Sequence, residues 1–162
     1  MASSYLGIFI PSLNSEIKKS LEGLWTGIKI ENMASLYEGV AVFDLHLKYE
    51  NPTDFDEFKK DNLALVSKLI SLSEKHPKEP IVLIEEYEHG DVNSYQGVVY
   101  KAGELLLNEM GDFNFVFSKF QREFEEHKID WSQFYDKRLN DLTSFLGIKG
   151  SQVNLFESCY EE

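Results

Sequence analysis

Four consecutive residues, Ile81-Val82-Leu83-Ile84, constrain this chain more than any others. Pro80 stands before them, and the sequence turns acidic directly after them at Glu85-Glu86-Tyr87-Glu88-His89-Gly90-Asp91. A short apolar run bounded by a proline and by charge reads as a strand. Side chains alternate across a strand, so both faces of this one are apolar. It needs cover on both sides, which demands a sheet with further layers above and below.

The surrounding sequence supplies elements for those layers. Residues 5–10 read as a buried strand stopped by Pro11. Ser12 or Asn14 can cap a short helix that puts Ile17, Leu21 and Leu24 on one face. Residues 26–31 alternate weakly. Residues 39–49 alternate clearly, with Ala41, Phe43, Leu45, Leu47 and Tyr49 on one side. Val40, Val42, Asp44, His46 and Lys48 take the other side, which is apolar at its start and polar at its end. Thr53 is then placed to cap a helix whose stripe runs through Phe55, Phe58, Leu65, Val66, Leu69 and Leu72, with Asn62 as a polar gap. His76-Pro77 ends it.

Beyond the acidic segment, Tyr95, Val98, Val99, Ala102, Leu105 and Leu106 recur at three and four, which predicts a helix. Gly97 and Gly103 each weaken that helix by about 1 kcal/mol against Ala, and a strand over 98–107 competes with it. Phe113, Phe115 and Phe117 alternate as in a strand. A helix follows through Phe120 and Phe124 to His127. A last one, capped by Asp130 or Ser132, carries Trp131, Phe134, Tyr135, Leu139, Leu142, Phe145 and Leu146 to a stop at Gly147. The expected architecture is a single α/β (or α+β) domain over residues 1–162. Its core is a mixed β-sheet packed by about four to five helices. Residues 151–162 are expected to form an edge strand and an acidic C-terminal tail.

Composition agrees with one folded unit. The chain has 162 residues, 43% of them hydrophobic and 14% aromatic, enough for a dense core without staples. Cys159 is the single cysteine, so no internal disulfide forms and no multi-cysteine zinc site is available. The N-terminal apolar run has no basic residues before it and is broken by Pro11. No stretch approaches the roughly 20 apolar residues that span a bilayer. A cytoplasmic location is expected, with no membrane contact.

Charge narrows the partners. Lys and Arg total 16 against 28 Asp and Glu, a formal net charge of -12. Such a field repels nucleic acid and attracts basic proteins and cations. The phosphate-binding loops G-x-x-x-x-G-K-[ST] and G-x-G-x-x-G, the nucleophile elbow G-x-S-x-G and the H-E-x-x-H pair are all missing. Glu123 and His127 lie four apart, which suits a contact on a helix surface and not a di-iron ligand pair. No cofactor is expected, and catalysis is the secondary reading.

Two uses of the acidic segment follow. As a binding surface for a basic protein, Glu85, Glu86, Tyr87, Glu88 and Asp91 would form the patch, with Tyr95 as an aromatic at its rim. This is how immunity proteins and antitoxins mask a basic active site. Alternatively, Asp44, His46, Glu85 and His89 meet at the carboxyl edge of the sheet, as a metal or acid/base site. If the strand persists past Ile84, Glu85, Tyr87 and His89 share one face, and Glu86 and Glu88 the other.

Overall fold

A computed structural model of the chain describes residues 3–43, 45, 54–89, 92–111, 113–148 and 154–159. The apolar run lies in β4 (Ile81–His89), third from one edge of a six-stranded sheet. The other strands are β1 (Ser3–Ile10), β2 (Lys29–Asn32), β3 (Val40–Phe43), β5 (Val92–Lys101) and β6 (Glu104–Glu109), in the order β2-β3-β1-β4-β5-β6. Every described pairing is antiparallel. The α/β class stands as expected, but the sheet is antiparallel throughout where a mixed one was foreseen.

Both faces of β4 are covered, as its apolar pattern requires. Ile81 and Leu83 join one core cluster with Ile8, Ile10, Val98 and Tyr100 of the sheet. The cover is Ile17 and Leu21 of α1 (Ser15–Leu24), Phe58 of α2 (Phe55–Asp61) and Leu65, Leu69 and Leu72 of α3 (Leu63–Lys75). Val82 and Ile84 join a second cluster with Phe9, Phe43 and Val99. Leu142 of α5 (Trp131–Thr143), Leu146 of the following 3-10 turn, Leu155 and Phe156 cover that face. The rings of Phe9 and Phe156 meet edge to face at 5.6 Å, and Phe43 packs on Phe156 at 5.8 Å.

The caps follow the sequence closely. Asn14 caps α1, its side chain accepting from the Glu16 N–H at 2.9 Å. Asp130 forms a capping box with Gln133 at the start of α5. Asp54 caps α2 in place of the expected Thr53, which lies outside the described residues. The long helix expected over 54–76 is two helices, parted at the buried Asn62, whose side-chain amide donates to the Phe58 carbonyl.

The helix expected over 95–106 is instead the β5–β6 hairpin. Ala102 and Gly103 both take positive φ and make a two-residue turn. Gly97 excludes a larger residue, because a Cβ there would collide with the Leu83 carbonyl oxygen. The register steps between Val99–Leu107 and Tyr100–Leu105, so Leu106 is an extra residue on β6. Phe113, Phe115 and Phe117, expected in a strand, lie in α4 (Phe113–His127). Of the expected C-terminal edge strand, Val153 lies outside the described residues. Leu155 and Phe156 form a turn into a 3-10 segment (Glu157–Cys159). Among the described residues no helix is long and apolar enough to cross a membrane.

Candidate functional site

β4 does continue past Ile84, so its side chains keep alternating into the acidic segment. Glu85 pairs across the ladder with Gln96, and Glu86 with Tyr95. The two carboxylates therefore enter opposite layers. Both are buried, Glu85 to 2% and Glu86 to 3% of full exposure. That corrects the expectation that they form an exposed patch.

Each buried carboxylate is met by neutral donors. The Ser4 hydroxyl donates to Glu85 Oε1 at 3.1 Å, and the Gln96 amide to Oε2 at 2.6 Å. Gln96 in turn accepts from the Gly111 N–H at 3.0 Å. Across the sheet, the Asn93 amide and the Tyr95 hydroxyl each donate to Glu86 Oε1 at 3.1 Å. A carboxylate taken from water costs several kcal/mol unless it is hydrogen-bonded, and these contacts offset that cost. Burial, then the Glu86 charge, pushes the Tyr95 phenol far above its ordinary range, so it stays a donor.

Tyr87 and Glu88 are half-buried, and Tyr95 is half-buried beside Glu86. Asp91, Asp44 and His46 lie outside the described residues, as does the His89 side chain. Among the described residues no group of three or more His, Cys, Asp or Glu is placed to hold a metal ion.

A second polar centre, which the sequence reading missed, sits on α5. Arg138 is 3% exposed. Its Nη1 donates to the Gly111 carbonyl at 2.5 Å and to the Tyr95 carbonyl at 3.3 Å. The guanidinium lies over the Phe134 ring at 4.2 Å, and its Nε is 3.8 Å from Glu109 Oε2. One signal was available. Arg138 falls four residues after Phe134 and four before Leu142, in the middle of the apolar stripe.

Glu109, near the end of β6, is half-buried. Burial raises its carboxyl above the usual range, Arg138 opposes that, and Asp141 pushes it further up. Lys137 donates to Asp141 at 2.9 Å, and this bond raises the lysine. Glu109 and Arg138 line a cavity of about 240 Å³ between α4 and α5, beside Phe120, Phe124, Phe134 and Glu123. Phe120 interrupts α4 with non-helical backbone angles and is 43% exposed. An adjoining cavity of about 370 Å³ shares Glu109 and Phe120 and adds Asp54 and Asp56 from the start of α2.

Ser20 Oγ and His76 Nε2 lie 2.8 Å apart, a nucleophile–base distance. None of the cavities above reaches them, and Ser20 is buried, so the bond ties α1 to the end of α3. No family model, curated protein or solved structure matches the chain.

Proposed function

We propose that the chain is a small acidic protein-binding module of the inhibitor type, which masks a basic protein partner. The observation that supports this reading is the placement of its charge. The net charge is -12, and among the described residues Glu85 and Glu86 are the only carboxylates withdrawn into the core. The other described carboxylates keep contact with solvent, on helices and strands alike. A field of this sign steers a basic protein toward the surface and speeds encounter. Exposed Phe120 and Trp131 add apolar anchors on α4 and α5 of the kind that hold a complex once formed.

Affinity capture from the source cell at low salt tests the reading. One basic protein should be retained in stoichiometric amount and released as salt rises. Retention of no basic protein, or retention that high salt leaves intact, overturns it.

A further inference from the structure

The cavity between α4 and α5 combines an apolar floor with an acidic rim. Phe124 and Phe134 meet edge to face at 5.5 Å beneath it, and Phe120 stands open at its mouth. Lys137, Arg138 and His127 also line it, and Lys119 lines the adjoining cavity, over the Phe120 ring at 5.5 Å. Two of these side chains are engaged within the fold. Arg138 donates to the Gly111 and Tyr95 carbonyls, and Lys137 to Asp141. The carboxylates of Glu109 and Glu123 line the same space, with Asp54 and Asp56 in the adjoining one. Across the two cavities four carboxylates, Glu109, Glu123, Asp54 and Asp56, stand against three Lys and Arg side chains, Lys119, Lys137 and Arg138, so the balance offered to an incoming group is negative. At about 240 Å³ the cavity is smaller than the roughly 300–1,000 Å³ of sites that enclose a whole drug-sized ligand. It suits side chains.

We propose that this cavity is the docking point for the basic partner. An apolar side chain of the partner rests on the floor of Phe120, Phe124 and Phe134, and a neighbouring Arg or Lys meets Glu109 and Glu123. This rests on the reading of the chain as a module for a basic protein, and it names where and by what chemistry contact is made. A second copy of the chain is a poor occupant, because it brings the same charge of -12 to the interface. An acidic segment is excluded on the same ground.

The test uses the full chain and two probes, N-acetyl-Phe-Arg-amide and N-acetyl-Phe-Glu-amide, followed by NMR. The Phe-Arg probe should shift resonances of Val116, Phe120, Phe124 and Phe134, and bind at least about tenfold more tightly than Phe-Glu. The substitution Phe120→Ala, at an exposed position, should abolish the shifts. The pair Glu109→Gln and Glu123→Gln should remove the preference for Arg while leaving the apolar contact. Equal binding of the two probes, shifts elsewhere on the surface, or no binding overturns the proposal. Repeating the low-salt capture with Phe120→Ala separates the two ideas. Undiminished capture of the basic partner sinks the cavity and leaves the module. Probe binding at the cavity with no basic protein captured sinks the module and leaves a site for small cationic ligands.

Discussion

Glu86 and Tyr95 face each other across the β4–β5 pair, and the phenol donates to the carboxylate at 3.1 Å. The bond holds a buried charge, so its loss should register in stability. Tyr95→Phe is expected to cost about 1–3 kcal/mol, the penalty of leaving a buried acceptor short of a donor. Urea unfolding measures it, with the slope unchanged if the denatured state is unaffected. The pH dependence has a definite sign. A phenol whose folded pKa is raised holds its proton more tightly when folded, so stability falls as pH rises past the usual tyrosine value of about 10. Tyr95→Phe should flatten that alkaline decline. A variant as stable as the parent would show that Asn93 and the other neighbours of Glu86 satisfy it without Tyr95.

Arg138 joins α5 to two places on the sheet side, the Tyr95 and Gly111 carbonyls. Removing it takes a donor from the buried Gly111 carbonyl and from the part-buried Tyr95 carbonyl, and empties the space over Phe134. Arg138→Ala is expected to destabilise by about 3 kcal/mol or more. Arg138→Lys should recover little of this, since an ammonium on a flexible stem has no flat face to lie over Phe134. Recovery by lysine to near the parent stability would reduce the residue to a point charge.

Much of this fold is legible from alternation and caps. The β4 run, β1, the helices α1 and α5 and their caps all follow from spacing. The β5–β6 hairpin does not. Val98 and Val99 are apolar neighbours because opposite faces of β5 are both buried, and Leu106 is added by the bulge on β6. Together they imitate a period of three and four. The site suffers from a different gap. Glu85 and Glu86 look like surface charge in the sequence, since their donors Ser4, Asn93, Tyr95 and Gln96 become neighbours only through strand register. Register is a property of paired strands, and no single strand carries it.

Phe156 shows how distant sequence completes the second core. Its ring contacts Phe9 and Phe43, and it is fully buried. Phe156→Ala is expected to cost about 3–5 kcal/mol, as deletion of a buried phenylalanine does. Phe156→Leu should cost far less, because it keeps much of the volume. Thermal or urea unfolding of both variants checks the order. Equal, small losses would mean that the C-terminal turn is not anchored to the sheet.

Glu109 connects stability to the proposed docking point. Its carboxyl is raised above the ordinary range chiefly by burial, so the ionised form is held at a cost in the folded chain. A raised carboxyl gives its stabilising proton up as pH rises. Stability should therefore be highest, in this contribution, below the usual glutamate value of about 4.3, and decline as pH climbs through the higher folded value. Glu109→Gln removes the charge and should raise the melting temperature at neutral pH, with the gain vanishing near about pH 4. The same variant should bind the Phe-Arg probe less selectively, the exchange of stability for function found at binding sites. A melting temperature that falls at neutral pH would mean that the contact with Arg138 outweighs burial. The carboxylate would then be part of the scaffold and not a group kept ready for a cation.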